Sequence, residues 1–364
     1  MCESLGVQAS PFGSDYPSCR ARLLAALERV PPTWHDRIQH PLRGPSGQRL
    51  FVDLAWFGPR DAQTVVVLLS GTHGIEGQCG SGISVDAIES AILGQLPSSH
   101  AVLVVHAINP WGFAWDRRCN EDGVDLNRNF IDFAQPWPPN PGFASLAELL
   151  VPREFEGPQR EAGDAELLGL LAKLGPGAIA GGQYEFPRAP FYGGETTTWS
   201  NRCMRTIARR LIGRERVVLI DYHSGLGERG QGQLIAAPRD LEDPISRLEL
   251  AEAERLWGKA VVPIDSPKTI AYATHGDLLL GVRAELGDQV GMVIAIAHEF
   301  GTLPAPQVLR ALCNDHWLWA HADLGDPRAA SVHAAMRDAF GPADEQWRAS
   351  VLGEARVVLE RALA

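Results

Sequence analysis

Paired cysteines are missing from this sequence. Its six cysteines, Cys2, Cys19, Cys79, Cys119, Cys203 and Cys313, are scattered and form no CxxC pair. That argues against a zinc ribbon or a dithiol redox motif and reads as reduced thiols in a cytoplasmic protein. No apolar run approaches the ~18 residues of a membrane span. The opening MCESLGVQAS has neither a basic n-region nor an apolar h-region, so export is not expected either. Positive charge is in deficit, with 33 Lys and Arg against 44 Asp and Glu, a formal net charge of -11. Such a surface argues against nucleic acid or an anionic membrane as the main partner. The one arginine-dense stretch, Arg209, Arg210, Arg214 and Arg216, reads as a solvated face near a helix C-terminus. There is no internal repeat or low-complexity tail, and no pattern that fixes an oligomeric state.

What is present is a chain of 364 residues, 45% of them hydrophobic, enough for a large core. Length alone would suggest about two domains, but one α/β domain with insertions also reaches this size. Apolar runs of strand length occur at 50–57, 64–69, 101–108, 217–222, 233–237 and 291–298. Several are apolar on both faces, as strands covered by helices on both sides are. Helical patterns fall at 16–29, 82–95, 199–212, 244–257 and 303–323. The alternation predicts a single α/β domain over 1–364, a three-layer α/β/α sandwich on a mixed, mostly parallel sheet. After the first helix, the stretch to residue 45 reads as a Pro-rich lead-in to the core at about 45–305. Residues 133–198, rich in Gly and Pro with one helix at 164–174, read as an insertion. Residues 326–364 read as two closing helices.

Four strand ends carry the chemistry. Ser70-Gly71-Thr72-His73-Gly74-Ile75-Glu76-Gly77 follows a buried strand, where open α/β sheets bind ligands. His73 and Glu76 in one Gly-rich turn can point at one metal, and their nitrogen and oxygen donors suit zinc. A capping turn with an incidental histidine would look the same. Val217 to Gly225 is a second buried strand, ending in His223, which would complete a His/Glu/His set with a position left open. Arg118 to Phe130 brings Arg118, Asn127 and Arg128 to the same edge, where planar guanidinium forks match a substrate carboxylate. A surface loop tied by salt bridges is the alternative. Ala297 to Thr302 ends a fourth strand with Glu299, a candidate general base whose pKa partial burial would raise.

GTHGIEG, RCNEDGVDLNRNF, DYHSG and HEFGT, in this order over about 45–305, resemble the zinc carboxypeptidase (M14) superfamily, in particular its DUF2817 branch. Gly181 to Tyr184 and Phe191 to Gly194 also resemble that branch. The resemblance implies one Zn2+ on His73, Glu76 and His223, with Glu299 as general base and Arg118 stabilising the oxyanion. It further implies that Asn127 and Arg128 grip the substrate carboxylate, and that Asp125 accepts a hydrogen bond from the far nitrogen of His73. Family members often hold a tyrosine over the substrate. Tyr272 is the candidate here, with Tyr192 a second. His275 could contribute to a second metal, whereas His298, preceding Glu299, points to the opposite face and reads as structural.

The activity these expectations describe is hydrolysis of an amide bond beside a free carboxylate, on a small molecule or short peptide, with the insertion narrowing the cleft. An N-acyl-amino-acid deacylase, like the aspartoacylase and desuccinylase branch, is the alternative enzyme. A metal-free protein that holds a peptide C-terminus is the alternative outside enzymes.

Overall fold

In the computed structural model, residues 10–364 are described except 176, 238–241, 265, 273 and 323–324. Cys2, Ala273 and the last residue of the helix expected at 303–323 therefore lie outside the described residues. Eight strands form one sheet: β1 (Trp34–Arg43), β2 (Arg49–Phe57), β3 (Thr64–Ser70), β4 (His100–His106), β5 (Arg216–Arg229), β6 (Gly232–Ala236), β7 (Val261–Pro263) and β8 (Met292–Gly301). Their order is β1-β2-β4-β3-β5-β8-β6-β7. The central β4, β3, β5 and β8 are parallel, and antiparallel pairs stand on either side.

Side chains alternate across the sheet and divide the core in two. Val66 and Leu68 belong to one apolar cluster, with the helices Tyr16–Arg29, Gly77–Glu89, Pro244–Trp257 and Glu345–Ala362. Val65, Val67 and Leu69 belong to the other, with the helices Trp199–Ala208 and Leu278–Leu286. The three-layer expectation holds because these strands are buried on both faces and need a cover on each. A third cluster joins the insertion to the helices Ala305–His321 and Ala329–Phe340. Of the arginine stretch, Arg209 and Arg210 are exposed beside the end of Trp199–Ala208 and pair with Glu285 and Asp36, whereas the half-buried Arg214 bonds to the Arg60 and Ala62 carbonyls and Arg216 opens β5, paired with Glu252. The five cysteines among the described residues are free and buried.

Three expectations need correction. The lead-in after the first helix is a strand, the sheet edge β1, whose residues are mostly exposed. With no buried face it shows no alternation to read, and its Pro41 is tolerated because an edge strand can spare a donor. The helix expected at 82–95 begins at Gly77 and gives way to a 3-10 segment, Ala91–Gln95. Its small residues are there for close packing: a Cβ on Gly80 would lie 2.5 Å from that of Ser70. The helix Leu278–Leu286 and the short β7 were not expected at all.

Candidate metal centre

The chain leaves β3 through Gly71, at φ +69, where a Cβ would also press on Ala107, so only glycine fits the turn. The turn continues into Gly74–Glu76, pinned by amides of Gly74 and Ile75 donating to the carbonyls of Arg118 and Arg117. This fixes the backbone that carries His73 and Glu76. His223 comes from the adjacent β5, which pairs with β3 in parallel. Its neighbour across the next pair is Glu299 on β8, so ligand and candidate base stand side by side on one face.

The three expected ligands meet. Glu76 Oε1 lies 2.9 Å from His73 Nδ1, and Oε2 lies 2.9 Å from His223 Nδ1. The two Nδ1 atoms are 3.3 Å apart. All three side chains are buried, and their donor atoms fall within 4.8 Å of one another. Each far ring nitrogen faces a carboxylate: His73 Nε2 to Asp125 Oδ1 at 3.1 Å, His223 Nε2 to Asp221 Oδ2 at 2.8 Å. Thr72 Oγ1 donates to Asp221 in turn. Two imidazoles with Nδ1 aimed at one point, each backed by a carboxylate, plus one carboxylate between them, fit a zinc-type cation.

The electrostatics agree. Burial works to raise Glu76, but His73 and His223 hold it well below the usual carboxylate range. Asp125 is likewise held down, chiefly by Arg118 and His73 against burial. His223 is pushed up, burial being outweighed by Asp221 and Glu76. Glu299 goes the other way: burial first, then the nearby Glu76 charge, raises it to about 7, with His223 opposing. Its Oε1 accepts the Leu226 amide at 3.0 Å.

A cavity of about 270 Å³ opens on this centre and takes in Arg118, Asn127, Arg128, Tyr272 and Glu299. Arg118 donates from Nε to Asp125 at 3.0 Å and from Nη1 to Glu76 at 2.9 Å, which leaves Nη2. Arg128 donates from Nε and Nη2 to the Ala180 carbonyl, at 3.0 and 2.6 Å, and from Nη1 to the Asn127 carbonyl at 2.7 Å. Of its five donors, one on each terminal nitrogen remains. Asn127 Oδ1 accepts the Leu278 amide at 2.7 Å, so its NH2 is the group left over.

A family model described as "protein of unknown function (DUF2817)" matches residues 12–354. The chain belongs to the DUF2817 family. That bears out the resemblance carried by the four motifs. No curated protein sequence matches the chain. Among solved structures, carboxypeptidase A from Helicoverpa armigera is similar at 12% identity and TM-score 0.43, over 90% of this chain and 74% of that one. A succinylglutamate desuccinylase from Silicibacter sp. TM1040 is similar at 12% identity and TM-score 0.41, over 78% of this chain and 64% of that one. The murein-tripeptide amidase MpaA from Escherichia coli O157 is similar at 19% identity and TM-score 0.35, over 80% of this chain and 94% of that one. At such distances they assign no reaction to a DUF2817 member.

One expectation falls away. Tyr192 lies not over this centre but in a separate depression with Glu195 and Asp122. His275 is exposed and lies outside the one metal-type group found among the described residues, His73, Glu76 and His223. His298 is buried opposite the centre, stacked near Phe300, with burial lowering its pKa to about 3. No helix among the described residues is long and apolar enough to cross a membrane.

Two further residues shape this centre. Asp221 could have been found, since it precedes His223 by two on a strand and so shares its face. Phe191 could not: its φ of +62 and its ring 5.6 and 5.8 Å from the Arg118 and Arg128 guanidinium carbons come from the insertion's path.

Proposed function

We propose that this protein is a zinc-dependent hydrolase that cleaves an amide bond beside a free carboxylate, in the manner of a carboxypeptidase. The observation that carries the reading is the convergence of His73, Glu76 and His223 next to a carboxyl group, Glu299, whose pKa burial lifts to about 7. A zinc ion held by the three ligands would supply a Lewis acid that polarises the amide carbonyl and acidifies water. Glu299 takes the proton of the attacking water and returns it to the leaving amine. Arg118, locked by Asp125 and Glu76, offers Nη2 to the oxyanion without having to reorganise. The spare donors of Arg128 and the NH2 of Asn127 hold the substrate carboxylate. Tyr272, half-buried in the cavity wall, covers the substrate.

The test is turnover by zinc-loaded protein of dipeptides and N-acyl amino acids, each against its carboxamide. Free carboxylates should be strongly preferred, and Arg128→Ala should raise KM for them far more than for the carboxamides. Equal turnover of acids and carboxamides removes the carboxylate clamp. Absence of bound zinc after reconstitution removes the hydrolase and leaves a peptide C-terminus binder. Peptidase and deacylase share this geometry, and the acyl side of the cavity separates them.

A further inference from the structure

Phe191 breaks the ordinary rules of the backbone. Its φ of +62 is the left-handed conformation that glycine adopts freely and a bulky side chain avoids. The chain is held there from more than one side. The Gln183 amide donates to the Phe191 carbonyl at 3.1 Å, the Asp125 amide to the Tyr192 carbonyl at 2.8 Å, and Asn129 Nδ2 to the Gly193 carbonyl at 2.8 Å. A phenylalanine kept where glycine would sit without strain points to a use for its ring. Phe191 is buried, lines the cavity, and packs in one apolar cluster with Ile75, from the turn between the proposed ligands His73 and Glu76. The Arg118 and Arg128 guanidinium carbons stand over its ring, 5.6 and 5.8 Å from the centre. Both lie inside the ~6 Å reach of a cation–π contact. Hydrogen bonds grip a planar guanidinium by its edges. Arg118 is gripped so by Asp125 and Glu76, and Arg128 by the carbonyls of Ala180 and Asn127. Such bonds leave the faces open, and tilting is opposed only by what lies against a face. Arg128 has the greater need of support. It is 2% exposed and its bonds go to carbonyl oxygens rather than to a carboxylate, so its charge is buried with little compensation. The electron-rich face of a ring supplies part of what is missing. One side chain thus touches both the arginine of the metal centre and the arginine of the clamp.

We propose that Phe191 is a positioning residue, a shared shelf that holds the Arg118 guanidinium against the metal centre and the Arg128 guanidinium in the carboxylate clamp. It thereby sets the span between the reacting carbonyl and the substrate carboxylate. The roles of the two arginines rest on the hydrolase reading above; the contact of one ring with both does not.

The experiment compares the wild type with two variants. Phe191→Leu keeps the apolar bulk and the backbone strain but has no π face, whereas Phe191→Tyr keeps the face. Zinc-loaded proteins are assayed on N-acetyl-leucine and benzyloxycarbonyl-glycyl-leucine, and on the carboxamide of each. Solvent exchange of the Arg118 and Arg128 Nε hydrogens, followed by NMR of arginine-labelled protein, reads the positioning without turnover. Phe191→Leu should lower kcat about tenfold and raise KM for the acids about tenfold, with KM for the carboxamides little changed. Exchange at both arginines should quicken by about tenfold as well. Phe191→Tyr should bring all three back to within about threefold of the wild type. If Phe191→Leu does not fold, Phe191→Met takes its place with the same expectations. A lower melting temperature with kcat, KM and exchange unchanged overturns the proposal, as does a Phe191→Tyr protein as impaired as Phe191→Leu. No turnover of any compound, with exchange faster in Phe191→Leu but not in Phe191→Tyr, supports the shelf and sinks the hydrolase reading instead.

Discussion

Replacing Asp221 by asparagine removes the charge behind His223 and leaves a neutral acceptor in its place. Zinc affinity should fall about 10–100-fold, read by competition with a chelator, while the fold stays intact. Glu299→Gln should do the reverse: zinc is retained, and turnover drops by about 10²–10⁴. The pH profile tests the same residue independently. The base works only when unprotonated, so activity must rise as pH climbs through its pKa. That value is about 7 without metal, set by burial and Glu76, and a bound cation moves it lower. The acid limb of kcat/KM should therefore lie below pH 7 and vanish in Glu299→Gln. A limb that persists in the variant belongs to another group.

At the scale of elements, the parallel strands were legible because each is a short run buried on both faces and stopped by a turn. The site was legible for the same reason: His73, His223 and Glu299 all sit where such a run ends. What escaped was structure whose cause lies elsewhere in the chain. β1 is held by pairing with β2 and not by its own pattern. The glycines at the start of Gly77–Glu89 suit a helix because neighbours lie close beneath them: Phe113 under Gly77, β3 and β5 under Gly80, and Phe12 under Gly82. The insertion was visible as a departure from rhythm, but its packing was not, since its partners, among them Arg128, Asn129, Trp317 and the helices Ala305–His321 and Ala329–Phe340, lie elsewhere in the chain. Gly276 lies against Arg128: at φ +71, a Cβ there would strike the Arg128 carbonyl. Gly276→Ala should cost more than about 1 kcal/mol in denaturant unfolding and weaken carboxylate-bearing substrates together with it.

Across the whole molecule, metal loading and proton balance are linked. Asp221 and Glu76 push the His223 imidazole up against burial, which favours its protonated form, yet a ligating imidazole nitrogen must be bare. Zinc binding near pH 7 should therefore expel about one proton, seen as a dependence of the calorimetric heat on buffer ionisation enthalpy. Zinc uptake should weaken as pH falls. Chelation should lower the melting temperature, because the ion binds the folded chain alone.

The pairing of His223 with Glu299 across β5 and β8 has a mechanical side. Those two strands act as a ruler: a slip of one step would bring Phe300 or His298 opposite His223 and carry Glu299, the proposed proton acceptor, away from it. The spacing between the proposed ligand and the proposed base is thus set by main-chain bonds and not by the side chains of the cleft.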